Sequence, residues 1–180
     1  MQSVDFEKEF DRLVGISTKE SSDALLNELY LLKDWPTQKL SELLQQLTWL
    51  GGNRWPSALA ELGADLNFVD DEGQTALSIC VHAACRFGGQ APVDTFTTAC
   101  ELLKLGASPN SRYLSMFSVT RLAFLHDLRD LTTLFLLAGA DLDLEEPDSQ
   151  YDMTLRDEML ASDKEWVRRL VLTASGSSQD

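Results

Sequence analysis

Apolar residues along this chain recur at helical rather than strand spacing, and three of the apolar stretches end in the same way. Ala58-Leu59-Ala60-Glu61 leads into Leu62-Gly63-Ala64-Asp65-Leu66-Asn67. Ala99-Cys100-Glu101-Leu102-Leu103-Lys104 leads into Leu105-Gly106-Ala107-Ser108-Pro109-Asn110. Leu134-Phe135-Leu136-Leu137 leads into Ala138-Gly139-Ala140-Asp141-Leu142-Asp143. Each glycine stands where a helix closes by turning through the left-handed region, which a Cβ disfavours. The Asp or Asn that follows suits a tight turn.

A second landmark follows each turn: Thr75 within Asp70-Asp71-Glu72-Gly73-Gln74-Thr75-Ala76-Leu77, Thr120 before Arg121-Leu122, and Thr154 before Leu155. A threonine just ahead of an apolar helix accepts a hydrogen bond from the amides of its first turn. The unit therefore reads helix, glycine stop, extended turn, threonine start, helix, and predicts a helix over 75–86. Gly106 and Gly139 stand 33 residues apart, but Gly63 and Gly106 stand 43 apart. The glycine-to-threonine interval grows from 12 to 14 to 15, which predicts longer second and third turns. The remaining surplus falls at Phe87–Asp94, a glycine- and proline-containing loop.

The run Leu62 to Leu77 resembles the ankyrin repeat, whose pattern is G-A-D-x-N-x-x-D-x-x-G-x-T-x-L. It matches at Gly63, Ala64, Asp65, Asn67, Asp70, Gly73, Thr75 and Leu77. The second copy keeps Gly106, Ala107, Asn110, Thr120 and Leu122, and the third keeps Gly139, Ala140, Asp141, Thr154 and Leu155. The 33-residue spacing is the family's period. In the family's T-P-L-H start, Ala76 replaces the proline and Ser78 the histidine, so that histidine's local bonding is expected to be absent. The resemblance implies an all-α fold, a short solenoid of about four helix pairs with N-terminal capping helices. It also implies turns that project as fingers and, with the first helix of each pair, form a concave protein-binding face.

The flanks carry less of this pattern. Phe6, Phe10, Leu13 and Val14 recur at helical spacing, and Ser17-Thr18-Lys19-Glu20 reads as a capping box opening a helix through Leu32. Trp35-Pro36 and Trp55-Pro56 put proline where a first helical turn tolerates it, which predicts helices near 37–49 and 56–62. Ser162-Asp163-Lys164-Glu165 is a second capping box, opening a helix through Leu172. The chain thus divides into capping helices at 1–33, a repeat array at 34–173 and a flexible tail at 174–180.

Charge changes the picture most. Against 15 basic residues stand 29 acidic ones, a net charge of −14. Such a surface repels nucleic acid and anionic membranes and favours a basic protein. No apolar run reaches the roughly 18 residues of a membrane span, and Met1–Glu7 lacks a secretory pattern, so a cytoplasmic location is expected. Cys80, Cys85 and Cys100 lack metal-type spacing and read as small core residues, and two histidines, His82 and His126, make a histidine metal site improbable. No phosphate loop, G-x-S-x-G elbow or H-E-x-x-H occurs, and the acidic run Asp141–Asp148 lacks the glycine and glutamate of a calcium loop. A binding protein without cofactor or metal, not an enzyme, is the expectation.

The second turn, Ser111 to Ser118, contains Arg112, Tyr113, Met116 and Phe117, types enriched at interface centres. By the resemblance, the first finger offers Phe68, Asp70, Asp71 and Glu72, and the third Glu145, Glu146, Asp148, Tyr151 and Asp152. His82, Arg86, Arg121 and Asp127 are the helix positions expected to share the face, while Trp35, Trp49, Trp55 and Trp166 read as packing residues. The expected function is that of a small immunity-type inhibitor neutralising a basic toxin or nuclease effector. The alternative is a scaffold or regulatory adaptor.

Overall fold

The computed structural model describes residues 30–50, 55–86, 95–144 and 153–176. Eight α-helices lie within them: α1 (Thr37–Leu50), α2 (Trp55–Glu61), α3 (Ala76–Arg86), α4 (Thr95–Lys104), α5 (Val119–Leu125), α6 (Arg129–Leu137), α7 (Leu155–Ala161) and α8 (Glu165–Gly176). A 3-10 turn, Tyr30–Leu32, precedes them, and an antiparallel hairpin of β1 (Arg112–Tyr113) and β2 (Phe117–Ser118) sits between α4 and α5. The protein is mostly helical, as expected. No helix among the described residues is long and apolar enough to cross a membrane.

Local chemistry accounts for the helix positions. Pro36 precedes α1, and its carbonyl accepts the Leu40 amide at 3.1 Å. Leu40, Leu43, Leu44 and Leu47 then form a buried stripe at helical spacing. At the ends of α2, α4 and α6 the glycines adopt φ of +100° (Gly63), +104° (Gly106) and +83° (Gly139). Each donates back to the third residue before it, and the alanine that follows donates to the fifth before itself: Ala64 to Leu59, Ala107 to Leu102 and Ala140 to Phe135, at 2.9, 2.9 and 3.0 Å. These are Schellman closures, which satisfy carbonyls the helix end would otherwise leave without partners.

The helix starts hold one correction. Thr75 lies outside α3 and caps it: its hydroxyl accepts from the Ser78 amide (3.2 Å) while the Ser78 hydroxyl accepts from the Thr75 amide (2.8 Å). Serine thus restores the reciprocal bonding expected to be lost with histidine. Thr154 and Asp157 form the same kind of box at α7. Thr120, however, caps nothing. The cap of α5 is Ser118, whose hydroxyl accepts from the Arg121 amide at 3.2 Å, whereas the Thr120 hydroxyl is buried with no hydrogen-bond partner among the described residues. Ser118 follows Gly106 by twelve residues, as Thr75 follows Gly63, so the second turn is no longer than the first. At the last helix, Ser162 accepts from the Lys164 amide (3.2 Å) and α8 opens only at Glu165, so the Ser162 capping box does not form as expected. Nor does the tail begin at 174: α8 continues to Gly176.

The helices pack as consecutive pairs α1–α2, α3–α4, α5–α6 and α7–α8, and the pairs stack in two layers. In the first, α1 packs on α3 and α3 on α5; in the second, α2 packs on α4, α4 on α6 and α6 on α8. One apolar core runs from Leu32 through Phe135, and a second joins Phe124, Leu136 and Leu142 to Leu155, Met159, Val167 and Val171 of the last pair. The expected N-terminal helices up to residue 29, the loop at 87–94 and residues 177–180 lie outside the described residues.

Polar side chains tie successive turns together. The Asn67 amide donates to the Gly106 carbonyl (3.2 Å), and its oxygen accepts from the Ser108 amide (2.7 Å). Asn110 accepts from the Asp141 amide at 2.8 Å, and Ser41 does the same for Asp65 at 2.8 Å. At the next position Asp143 instead pairs with Arg156 through two bonds of 2.8 and 2.9 Å, and this guanidinium holds the Asp143 carboxyl below its usual range. Replacing Asn67 with alanine removes two bonds that join copies. The expected loss is about 1–2 kcal/mol of stability, read as a lower midpoint in urea unfolding, with Asn67→Asp losing less because it keeps the acceptor for Ser108.

Candidate partner-binding face

The second finger is a hairpin held in an unfavourable backbone conformation. Leu114 and Ser115 at its tip have φ of 53° and 57°, a region that costs a residue with a side chain about 1–2 kcal/mol. The first finger holds it there. The Ser115 amide donates to the Gly73 carbonyl at 3.1 Å, and a Cβ on Gly73 would stand 2.9 Å from that same amide nitrogen, so only glycine permits the approach. Leu114 and Met116 are exposed at 38% and 37%. Phe117 lies opposite Tyr113 in register, Arg112 opposite Ser118, and all three of Arg112, Tyr113 and Phe117 are half-buried.

Tyr113 reaches α3, where its hydroxyl lies 3.3 Å from His82 Nε2 and the two rings are 4.6 Å apart. On the other side of His82 stands the Trp49 ring of α1, at 5.6 Å. Three aromatic rings thus cross from α1 over α3 to the hairpin. Burial depresses the His82 pKa, helped by the positive charge of Arg86 and by His126, and burial together with Glu72 raises that of Tyr113. Arg86, the last residue of α3, is exposed. Burial also pushes the Cys85 thiol up to about 11, so at neutral pH it carries no nucleophilic thiolate.

A groove of about 430 Å³ opens beside these rings. Helix α1 lines it with Glu42, Gln45, Gln46 and Trp49, α3 with Ile79 and His82, and the first finger with Asp70 and Gln74. Trp49 is 37% exposed, so its expected role as packing is only half of its situation. The signal that identifies it lies in the helical wheel. At about 100° per residue Trp49 falls opposite the leucine stripe of α1, on the face that Glu42, Gln45 and Gln46 share.

The remaining expected residues divide. Asp71 and Glu72 are exposed on the first finger, and Phe68 is half-buried. Asp70 lines the groove, but its Oδ1 also accepts from the Glu72 and Gln74 amides at 3.0 and 2.8 Å, which builds the turn. Arg121 is not a rim residue. It is 8% exposed because α7 covers it, and its Nη2 faces Glu158 Oε2 at 2.8 Å while Nε and Nη1 have no hydrogen-bond partner among the described residues. Asp127 stands at the turn between α5 and α6, at the end of α5 away from the hairpin, with φ of 58° and an ion pair to Lys164 at 2.8 Å; it does not join the fingers. Glu145, Glu146, Asp148, Tyr151 and Asp152 lie outside the described residues. No group of three or more metal-ligating side chains occurs among the described residues.

Two outcomes follow from these charges. A histidine whose folded pKa lies below its ordinary 6.5 binds fewer protons folded than unfolded, so stability present above pH 6.5 is lost as pH falls toward the depressed value. The unfolding midpoint is expected to drop between pH 7.5 and about 5.5, and His82→Gln to flatten that slope. For the buried pair, Glu158→Ala leaves an uncompensated guanidinium and is expected to cost about 1–3 kcal/mol, whereas replacing both partners together, Arg121→Met with Glu158→Leu, is expected to be near neutral; thermal unfolding of both variants checks this.

No family model matches the chain, and no curated protein matches it in sequence.

Proposed function

We propose that this chain is an ankyrin-type repeat protein that binds another protein across the face formed by α1, α3 and the hairpin, and that it acts as an acidic cytoplasmic inhibitor of the immunity type. The glycine closures, the Thr75, Ser118 and Thr154 caps, the Asn67 and Asn110 links and the two-layer stack support the repeat reading. One observation carries the binding reading. Trp49, His82 and Tyr113 form a continuous aromatic band, with exposed Leu114 and Met116 beside it and exposed Asp71 and Glu72 on the adjoining finger.

An apolar and aromatic centre with a charged rim is how protein interfaces are built, with the centre supplying affinity and the rim supplying orientation. The net charge of −14 makes a basic partner the best match, and a toxin or nuclease that grips anionic substrate is such a partner. The scaffold alternative shares the same face; it parts from inhibition only in whether the captured partner loses activity.

The test is capture of the partner from the native host, then measurement of its affinity and activity. Met116→Ala and Tyr113→Ala are each expected to weaken binding by about 1–2 kcal/mol with folding intact, and the association rate to fall on the order of tenfold from low to physiological salt and above. Unchanged affinity in both variants rejects this face. A partner that keeps full activity when saturated rejects inhibition.

A further inference from the structure

We infer that the groove between α1 and α3 receives an arginine side chain of the partner, its guanidinium stacked on Trp49 and hydrogen-bonded to Gln45 and Asp70. The inference rests on the reading above that this face meets a basic protein.

The groove is built to accept hydrogen bonds. Gln45 is 5% exposed, and its amide nitrogen donates to the Phe68 carbonyl (3.2 Å) and the Gln74 carbonyl (2.9 Å). Both N–H bonds are thereby used and the carboxamide cannot turn over, so its oxygen faces its surroundings as an acceptor. That oxygen has no hydrogen-bond partner among the described residues. Asp70 is arranged the same way: Oδ1 takes both amide bonds of the turn, and Oδ2 has no partner among the described residues. Glu42 adds a second carboxylate, paired with Lys39 at 2.7 Å, so an incoming cation competes there with a lysine whose side chain is 45% exposed. Asp70 carries no ion pair among the described residues.

A ligand for this groove therefore brings donors and positive charge, and it lies against an aromatic face. Guanidinium answers all three requirements. It is planar, carries five donors in a fixed fork and is weakly hydrated, so it stacks on tryptophan and still reaches two acceptors side by side. The ammonium of lysine is a compact, strongly hydrated point charge and uses the flat wall less well. Acidic and phosphate ligands are repelled by Glu42 and Asp70. Because the His82 pKa is depressed, its ring adds no positive charge of its own beside the cation site at neutral pH.

The experiment titrates the full chain, labelled with nitrogen-15, with acetyl-arginine amide and with acetyl-lysine amide, which carry equal charge. Arginine amide is expected to shift the Trp49 indole and Gln45 carboxamide signals and to bind about threefold or more tighter than lysine amide. Asp70→Asn keeps an oxygen for the turn but replaces the second acceptor with a donor, and Trp49→Leu keeps the apolar volume but removes the ring. Each is expected to weaken arginine amide about fivefold, with circular dichroism confirming that both remain folded. Equal binding of the two amides, shifts that miss Trp49 and Gln45, or affinity unchanged in both variants overturns the proposal. The same variants measured against the captured partner separate the two readings. If Met116→Ala weakens the partner while Asp70→Asn and Trp49→Leu leave it unchanged, the groove assignment falls and the binding face stands. If none of these variants nor Tyr113→Ala matters, both fall.

Discussion

A helix that stops inside a folded chain leaves carbonyls with nothing to accept, and the whole arrangement depends on how this chain meets that demand. Gly63, Gly106 and Gly139 each take a positive φ and bring their own amide and that of the following alanine back over the helix end. Because the chain leaves each stop in the same direction, the residue four positions later arrives near the next copy's turn. At Asn67 and Asn110 that residue carries a carboxamide, which bonds the next turn's backbone. Pair spacing is thus set by hydrogen bonds of fixed length rather than by apolar contact alone, which is non-directional. That spacing lays α1 beside α3 and brings Trp49 to His82, and the groove is the space left between them.

Much of this was legible in the residues. The glycine stops, the Thr75 and Thr154 caps and the leucine stripe of α1 all follow local rules that tertiary packing did not override. The misreading of Thr120 has a definite cause. Serine and threonine both cap helices, and Ser118 stood two residues earlier at the interval already set by the first copy, so the choice required the spacing from Gly106 and not residue type alone. Ser78 was misread for a related reason: a hydroxyl at the third helical position can return the cap's bond as a longer polar side chain does. Arg121 shows what sequence cannot supply. Its burial depends on α7 lying over α5, a contact between segments far apart in the chain. Trp49 lies between these cases, since the wheel of α1 already puts it opposite the leucines, but only the structure sets His82 and Tyr113 beside it.

The electrostatics of the chain have two scales. The large excess of carboxylates over basic groups acts at long range as a negative potential, falling off within a Debye length of about 8 Å at physiological salt. At short range the charge is spent unevenly. Glu158 is committed to Arg121, Asp143 to Arg156 and Asp127 to Lys164, each holding one element against another. Asp71 and Glu72 stay exposed on the first finger, and Asp70 retains an oxygen that the turn does not use. Acidic groups that hold the fold and acidic groups available to a partner are therefore distinct sets, and the available ones sit beside the aromatic band.

Strain at the hairpin tip completes the argument for that band. Two consecutive left-handed residues with side chains do not arise from local preference, and here they persist because the Gly73 carbonyl holds the Ser115 amide and the missing Cβ of Gly73 leaves room for it. This contact ties the second finger to the first, so Leu114 and Met116 stand at a set distance from Asp71 and Glu72 instead of sampling a loop's freedom. A binding surface ordered beforehand loses less conformational entropy when a partner docks. The energy stored in the tip is offset within the folded protein by the contacts of both fingers, which leaves apolar and acidic groups displayed together before any partner arrives.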